Sequence, residues 1–193
     1  MRKAIYKDKK LVAEILVSAF LGLKEDNSIN FVIKPDKNRR KRMQVLMGYF
    51  FEKAFLFGEI YISDNEQACV LLKFPFNEKI TFKTLKLDLK LVHKCIGYNR
   101  VFKVLKRQYL ANKNYPKEKH IRPMLIGVRQ NNKGNGSAAR LILEVKKAFK
   151  KNSLPVIIDT ASIQNVKLYQ KLGFKIIKKE DQLGFPIYFL QLN

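Results

Sequence analysis

Apolar residues recur at helical spacing in two long stretches of the first half of the chain. In the first stretch, Asp8 directly precedes the apolar positions and is predicted to be the N-cap of a helix. The second pattern begins after Pro35 and runs to about Phe57, where Gly58 is expected to end the helix. Residues 2–6 are predicted to form a short strand before both helices.

Two β-rich runs and a further helical stretch follow. The runs Glu59 to Asp64 and Gln67 to Phe76 are rich in strand-forming residues, and the Asp64-Asn65 pair between them is typical of a hairpin turn. From Thr81 to about Lys113 the pattern is helical again, and Gly97 predicts a break that divides this stretch into two helices.

The second half of the chain alternates between strands and helices. The predicted elements are a strand from Arg122 to Val128, a helix from Gly134 to Lys151, a strand from Pro155 to Asp159, a helix from Asn165 to Leu172 that Gly173 ends, and strands from Phe174 to Lys178 and from Pro186 to Leu192. This succession predicts a layered α/β fold.

Size and composition predict one globular domain over residues 1–193. Hydrophobic residues make up 47% of the 193, which is enough for a packed core, and no repeat or flexible linker interrupts the chain. No apolar run approaches the ~20 residues that cross a bilayer. The apolar stretch near the N-terminus is broken by Glu14 and is more typical of an amphipathic helix than of a signal peptide. We therefore expect a cytoplasmic protein with no membrane partner.

The charge balance is strongly basic. Lysine and arginine number 39 against 16 aspartates and glutamates, which gives a net charge of +23 and attracts polyanions. The basic residues are spread along the whole chain, however, and the interleaving of aromatic and basic residues typical of RNA binding is absent. A nucleic-acid partner is therefore not expected, and a coding bias is an alternative origin of the charge. The basic cluster at residues 37–42 is either a solvated helix face or a docking patch for an acidic ligand.

Cysteine and histidine usage gives no sign of a metal site. Cys69 and Cys95 lie in apolar surroundings, without a C-x-x-C spacing, and the two histidines are far apart in the sequence. We expect both cysteines to be buried, reduced thiols.

The loop after Val128 is the most informative segment. It contains Lys133-Gly134-Asn135-Gly136 and leads directly into a helix that begins with Ser137-Ala138. Glycines let a ligand approach the backbone amides closely, and the first N–H groups of a helix attract anions. The segment predicts a pyrophosphate site to which Lys133 adds positive charge, and the alternative is a plain turn. The Walker A and Rossmann fingerprints do not fit, because residues that they require at fixed spacings are missing.

Two motifs resemble those of the GCN5-related N-acetyltransferases, the GNAT superfamily. The loop from Lys133 to Ala138 looks like the Q/R-x-x-G-x-G/A acetyl-CoA signature of that family, with lysine at the Q/R position. The run from Asn165 to Phe174 looks like its second motif, which ends in Tyr-x-x-Leu-Gly-Phe. Within the family, Pro116 to His120 and the helices of residues 81–113 are most similar to the puromycin N-acetyltransferase type.

The resemblance implies a fold and an activity. The implied α/β fold has a mixed, mostly antiparallel sheet of six or seven strands, helices on both faces, and strands four and five splayed apart. Residues 1–118 would form the acceptor-side half and residues 119–193 the acetyl-CoA-binding half. The implied reaction is direct transfer of an acetyl group from acetyl-CoA to a primary amine of a small molecule in a ternary complex, by a monomer or homodimer. The alternatives are an amine of a protein or peptide, and a non-catalytic module that binds CoA or nucleic acid.

The resemblance also implies which residues bind acetyl-CoA. Loop amides would hold the pyrophosphate, the strand edge would pair with the pantetheine amides, and a backbone N–H near Val128 would polarise the thioester carbonyl. Asn165 would bond the cofactor arm, cap its helix, or both. The implied binding residues are Ile126, Gly127, Val128, Lys133, Gly134, Asn135, Gly136, Ser137, Ala138, Asn165 and Tyr169.

The resemblance implies a general acid but leaves the general base open. Tyr169 would protonate the departing thiolate, and the alternative is that it is a core aromatic. The candidates for a general base are Glu59, His120 and Asp159, and a water chain to bulk solvent is an equal alternative.

Overall fold

The computed structural model of the protein describes residues 1–149, 154–182 and 184–192. The strands are β1 (Arg2–Lys3), β2 (Gly58–Ile62), β3 (Ala68–Lys73), β4 (Arg122–Val128), β5 (Val156–Thr160), β6 (Lys175–Glu180) and β7 (Ile187–Leu192). The helices are α1 (Lys9–Phe20), α2 (Ser28–Val32), α3 (Arg39–Phe57), α4 (Phe82–Leu91), α5 (Val101–Lys113), α6 (Ser137–Phe149) and α7 (Ile163–Lys171). A π-helical turn (Val92–Ile96) extends α4, and Gly97 separates it from α5, as the sequence predicts.

The strands form two antiparallel sheets that share one junction. The first has the order β1-β2-β3-β4 and the second the order β5-β7-β6. An isolated parallel bridge between Ile121 and Val156 joins β4 to β5, with the Ile121 N–H donating to Pro155 O at 2.9 Å and the Ile157 N–H donating to Ile121 O at 2.9 Å. The described residues contain no further pairing between these two strands. The predicted class, a mostly antiparallel α/β arrangement with the fourth and fifth strands splayed apart, is confirmed. The six or seven strands expected in one sheet are divided between a four-stranded and a three-stranded sheet.

Helices cover both faces of the sheets. Leu71 and Leu125 of the first sheet face the main core with α1 and α3, while Val70 and Leu72 face α6. In the second sheet, Ile158 and Leu190 pack with α7 on the same side as α6. Ile187 and Phe189 pack on the opposite side against Leu110 of α5 and Tyr115. We call the two sides the α1 face and the α6 face.

A bulge interrupts the pairing of β3 with β4. Leu71 is paired with Leu125, but the next residue, Leu72, is paired with Pro123, so Met124 has no residue opposite to it. Bulges re-aim the residues that follow them and are common beside active sites. Pro123 fits this place because proline has no N–H to donate within a regular ladder.

Several predicted boundaries are wrong, for local reasons. The helix predicted from Gly134 begins at Ser137, because Gly134 and Gly136 have φ angles of 93° and 71°, outside the helical region. Its predicted end, Lys151, lies outside the described residues. The helix predicted from Asn165 begins at Ile163. The first strand is limited to Arg2–Lys3.

Two predicted N-caps are also wrong. Asp8 stands before α1, but its carboxylate accepts hydrogen bonds from Arg2 and from the Ile5 N–H at 2.8 Å, so it does not cap that helix. Ser162, and not Asn165, is the N-cap of α7, because its Oγ accepts from the Asn165 N–H at 3.4 Å.

The basic cluster before and within α3 is partly structural. Arg39 donates to Leu23 O at 3.0 Å and to Asn30 Oδ1 at 2.7 Å. Arg42 forms an ion pair with Asp36 and donates to Lys94 O at 3.0 Å. These arginines therefore attach α3 to neighbouring segments, which favours neither of the two roles proposed for the cluster as a whole.

Cys69 and Cys95 are buried and free, as expected. Across the described part of the chain, no group of three or more His, Cys, Asp or Glu side chains is placed to hold a metal ion. Among the helices that the structure describes, none combines the length and apolar character needed to cross a membrane.

Candidate active site

β4 and β5 are joined at the Ile121–Val156 bridge, and beyond it the described residues form no pairing between the two strands, which leaves an opening toward the end of β4. The Arg129 N–H donates to Gln67 O at 2.8 Å on the β3 side. Because backbone groups alternate between the two edges of a strand, those of Ile126 and Val128 point to the opposite edge, toward β5. Two of the predicted binding residues therefore present backbone hydrogen-bonding groups along one wall of this opening.

Gly127 lies between them and faces α1. A Cβ built on Gly127 would lie 2.8 Å from Leu16 Cδ2 and 3.4 Å from the Cβ of Ala19. Its observed role is thus to let α1 pack closely against β4, independently of any ligand.

The glycine loop lies at the wide end of the opening. A short helical turn (Gln130–Asn132) follows β4, and the Gln130 N–H donates to Ser18 Oγ of α1 at 3.0 Å. A Cβ built on Gly134 or Gly136 would meet nothing within 4 Å, so both glycines border open space. Lys133 is exposed, and the side chain of Asn135 donates to Asn132 Oδ1 at 3.0 Å.

The start of α6 adds backbone donors beside this loop. The first helical bond runs from the Arg140 N–H to Gly136 O at 2.9 Å. The preceding N–H groups, including those of Ser137 and Ala138, have no carbonyl within the helix to bond. Arg140 and Ser137 line a groove that Asp64 and Glu144 also line, so part of the arginine's surroundings is acidic. Loop and helix together offer unpaired amides and positive charge to an anion.

Tyr169 lies below the opening on the α6 face. It is buried, packs against Phe174 with ring centroids 5.6 Å apart, and belongs to the same core cluster as Ile158. Burial, with a smaller contribution from the Asp159 carboxylate, raises the pKa of Tyr169 well above its ordinary value. The hydroxyl is therefore a proton donor, and not a phenolate, throughout the neutral range.

A small cavity separates Tyr169 from the opening. Its volume is about 30 Å³, comparable to the space of a single water molecule. The residues that line it are Val70, Leu72, Pro123, Ile126, Ile142, Val145, Lys146, Val156, Ile158, Tyr169, Phe174 and Leu192. Residues of both diverging strands thus share this cavity with the predicted acid.

Asn165 lies one helical turn before Tyr169 but is exposed. Its side-chain amide lies 3.4 Å from Thr160 Oγ1 at the end of β5, and its N–H bonds Ser162. The structure thus ties Asn165 to the wide end of the opening through β5.

The three candidate bases lie in different environments. Glu59 is on β2, separated from β4 by β3, and its carboxylate accepts from Lys3 at 2.5 Å and from the Tyr61 hydroxyl at 2.6 Å. Neighbouring strands are about 5 Å apart, so Glu59 is about 10 Å from β4. The structure does not bring Glu59 to the opening.

His120 is buried at the narrow end, beside the bridge. Its Nδ1 lies 2.8 Å from Glu118 O and its ring stacks on Tyr115 at 5.7 Å. Because a carbonyl oxygen only accepts, Nδ1 carries the proton in the neutral ring and Nε2 keeps its lone pair. Nε2 is buried and has no hydrogen-bond partner among the described residues.

Asp159 belongs to a polar cluster that includes two residues not predicted from sequence. Its Oδ1 accepts from the Tyr115 hydroxyl and lies 3.3 Å from Arg122 Nη2. The Arg122 guanidinium lies over the Tyr115 ring, 4.0 Å from its centroid. Burial raises the pKa of Tyr115, whereas for Arg122 the attraction of Tyr115 and Asp159 outweighs burial and raises its pKa. Two donors, the Tyr115 hydroxyl and the Arg122 guanidinium, therefore hold the Asp159 side chain in place.

A buried arginine lies nearby on α5. Arg107 of α5 donates to Ser28 Oγ at 2.8 Å, and its guanidinium carbon is 5.0 Å from the ring centroids of both Phe31 and Phe185. Burial lowers the pKa of Arg107, and the Asp159 carboxylate opposes that shift. The inserted helix α5 thus brings a cationic group toward the Asp159 cluster.

Met124, Tyr115, Arg122 and Arg140 were not predicted from the sequence as residues of the site. Pro123 within a strand was the available signal for the bulge at Met124. Tyr115 is 44 residues from Asp159 and carried no local signal. Arg140 was recognisable as a basic residue in the first turn of the helix that follows the glycine loop.

Comparison with known proteins identifies the fold. No protein-family profile and no curated protein matches the chain. A solved histone acetyltransferase HPA2 and related acetyltransferase from Corynebacterium glutamicum is similar with a TM-score of 0.72 at 17% identity, over 98% of this chain and 93% of that one. Arylalkylamine N-acetyltransferase 2 from Aedes aegypti is similar with a TM-score of 0.62 at 14% identity, over 98% and 95%.

The C-terminal condensation domain of Ebony, solved in complex with beta-alanyl-dopamine, is similar with a TM-score of 0.65 at 10% identity, over 99% of this chain and 96% of that one. Similarity at these identities establishes the fold, which is that of the GNAT acetyltransferases. Because function resides in a site and not in a fold, the activity must be argued from the residues.

Proposed function

We propose that the protein is an acetyl-CoA-dependent N-acetyltransferase that acts directly on a primary amine of a small molecule. The observation that carries this proposal is the opening between β4 and β5, which has a glycine loop and a helix N-terminus at its wide end. Unpaired strand edges are normally covered in proteins, so an open edge next to an anion site favours an extended, phosphate-bearing ligand.

The residues of the opening fit acetyl-CoA. The open space at Gly134 and Gly136 admits a pyrophosphate, and the amides of residues 133–138 would hold it together with Lys133 and Arg140. Backbone groups of Ile126 and Val128 would pair with the pantetheine amides as an added strand. When bound, acetyl-CoA supplies the thioester whose acetyl group is transferred.

The chain contributes position, polarisation and one proton. A backbone N–H near the Met124 bulge or Val128 would polarise the thioester carbonyl. The acceptor nitrogen then bonds to the carbonyl carbon as the carbon–sulfur bond breaks, and Tyr169 would donate its proton to the sulfur. Asn165 would orient the arm of the donor, and the wall of the opening would hold donor and amine in contact.

The acceptor nitrogen must lose a proton. Asp159 is bonded to Tyr115 and Arg122, and the unpaired Nε2 of His120 lies on the far side of Tyr115. We propose release of the proton to water through this polar cluster in preference to transfer to Glu59, which is ion-paired elsewhere.

We propose the puromycin N-acetyltransferase type as the most similar subgroup, supported by the presence of α4 and α5 between β3 and β4. In this proposal residues 1–118 form the acceptor side and residues 119–193 the acetyl-CoA side. The alternatives are a protein or peptide amine and a non-catalytic CoA-binding module.

A binding and turnover experiment tests the proposal. Calorimetric titration with acetyl-CoA should show binding, and a panel of primary amines should release thiol from acetyl-CoA. Binding without turnover of any amine would indicate the non-catalytic module, and absence of acetyl-CoA binding would refute the proposal.

Gly136→Glu tests the loop itself. A carboxylate at Gly136 would repel the pyrophosphate, and we expect acetyl-CoA affinity to fall by at least about 100-fold. The glutamine side chain of Gly136→Gln has a similar shape without the charge, so this variant should bind acetyl-CoA more tightly than Gly136→Glu does. Gly184→Glu is the matched control, because Gly184 also has a positive φ, 84°, and open space around it. Equal affinity in all three variants would remove the pyrophosphate from this loop.

A further inference from the structure

Helix α4 exposes apolar side chains on the side that faces away from the core. Phe82, Leu85 and Leu89 lie three and four residues apart, on one side of the helix, and are 50% to 74% exposed. Thr84 and Leu91 occupy the buried side. The helix therefore carries apolar residues that the fold does not use.

The region that leads into and forms α5 repeats this arrangement. Tyr98, Phe102, Leu105 and Tyr109 are spaced by four, three and four residues and are 54% to 86% exposed. The buried side of α5 carries Val104 and Arg107. We call these two sets of exposed residues, on α4 and on α5 with its preceding turn, the apolar stripes.

Both helices are attached firmly to the domain, so the exposure is a property of their fixed orientation. On α4, Asp88 accepts from the Tyr49 hydroxyl of α3 at 2.8 Å. Arg100, directly before α5, donates to Phe31 O and Ile33 O at 2.7 Å each. Along each helix the exposed apolar residues are neighbours at helical spacing, and exposed apolar patches of this kind mark interaction sites.

The residues around the stripes are basic. Eight lysines of this region are exposed, namely Lys79, Lys83, Lys86, Lys90, Lys94, Lys103, Lys106 and Lys113. Asp88 is the one acidic residue in positions 79–113, and it is already bonded to Tyr49. The Lys86 ammonium lies 4.6 Å from the centroid of the Phe82 ring, so its stem extends along the stripe.

We propose that the apolar stripes of α4 and α5 bind the surface of an anionic lipid bilayer. Each stripe has apolar side chains on one side of a helix with lysines beside them. At the surface of a bilayer the apolar side chains would enter the outer part of the acyl-chain region, and the lysine ammonium groups would contact the lipid phosphates. A second copy fits less well, because it would bring lysines beside the stripes, such as Lys86 and Lys90, against their counterparts, whereas Lys83 is already ion-paired with Glu52 at 3.3 Å. The proposal replaces the expectation of no membrane partner, and it is independent of the proposed enzymatic activity.

The chain contains no tryptophan, which makes a direct test possible. Phe102→Trp places a single reporter in the α5 stripe, where the native side chain is 86% exposed. Leu143→Trp places one on α6, where the native side chain is 50% exposed. Vesicles of phosphatidylcholine mixed with phosphatidylglycerol should shift the emission of Phe102→Trp to shorter wavelength and leave that of Leu143→Trp unchanged. Vesicles of phosphatidylcholine alone should have little effect on either.

Vesicle sedimentation tests the apolar contribution. Leu85→Ser combined with Leu105→Ser should weaken binding to the anionic vesicles at least about tenfold, whereas Leu143→Ser should not. Equal binding by all variants would mean that only the net charge of +23 attracts the vesicles and would overturn the proposal. Absence of vesicle binding would also overturn the proposal. A native protein that is a dimer without lipid, and that the double variant converts to a monomer, would overturn it as well, because a second copy would then cover the stripes.

Discussion

Replacing Tyr169 with phenylalanine isolates the chemical role of one oxygen atom. The ring is buried against Phe174, and the hydroxyl takes part in none of the hydrogen bonds that the described residues form. Phenylalanine preserves the packing, so the free energy of unfolding should change by less than about 0.5 kcal/mol. Any large effect on turnover would then arise from the missing proton donor.

The expected magnitude follows from the role. General acid catalysis contributes about 10²–10⁴-fold to the rate of a reaction. A thiolate leaves fairly readily even when no acid protonates it, so we expect the lower value. A loss of about 100-fold in kcat corresponds to about 2.7 kcal/mol of barrier. Because burial raises the pKa of Tyr169 well above its ordinary value, the native acid stays protonated up to high pH and should add no alkaline limb to the kcat profile.

The assay is thiol release under saturating acetyl-CoA with the best amine of the panel, together with calorimetric acetyl-CoA binding. Affinity for acetyl-CoA should stay within about twofold, since the lost interaction belongs to the transition state. Tyr188→Phe is the control, because Tyr188 is a partly buried tyrosine against the same cluster and has no assigned role. A Tyr169→Phe enzyme with kcat within about threefold of native would refute the acid assignment.

Two further predictions concern stability. A Cβ on Gly58 would lie 2.0 Å from the carbonyl oxygen of Leu72, which is a backbone atom. Gly58→Ala should therefore disrupt the β2–β3 pairing and lower the free energy of chemical unfolding by about 3 kcal/mol or more. Gly22→Ala is the control and should be nearly neutral, because a Cβ on Gly22 would meet nothing within 4 Å. Burial opposes ionisation of Glu52, but hydrogen bonds from Lys9 and a neighbouring tyrosine outweigh it and lower its pKa, so Glu52→Gln should cost about 1–3 kcal/mol at pH 7. The stabilisation by the Glu52 carboxylate is present above the ordinary pKa of 4.5 and is lost as pH falls through the lower pKa of the folded state. The difference in unfolding free energy between native protein and Glu52→Gln should therefore shrink in acid. A difference that does not change with pH would contradict the lowered pKa of Glu52.

Local patterns in the sequence were sufficient for most elements and for the glycine loop before α6. The helix that ends at Phe57, the hairpin of β2 and β3, and strand β4 follow from spacing, turn residues and β-propensity, which act over a few residues. Gly134 and Gly136 were recognisable because glycine before a helix indicates unusual backbone angles, and both have positive φ.

Elements with weak or short signals were not recovered. Helix α2 spans five residues, too few for a periodic pattern. Serine and asparagine are both good capping residues, and Ser162 and Asn165 lie within one helical turn of each other, so the sequence did not tell which one caps α7. The structure shows that Ser162 is the cap, because the backbone at Ser162 is extended.

Tertiary structure alone decided which groups meet and which faces remain free. Asp159, Arg122 and Tyr115 come together because β4 and β5 lie side by side at their starts while Tyr115 folds back over them. The stripes of α4 and α5 were invisible in the sequence, because both sides of these helices carry apolar residues and periodicity does not tell which side the rest of the chain covers. Backbone angles at glycine are a local property, whereas burial depends on distant parts of the chain. The sequence by itself therefore determined the glycine loop before α6, and the packed fold decided the polar cluster and the exposed surface.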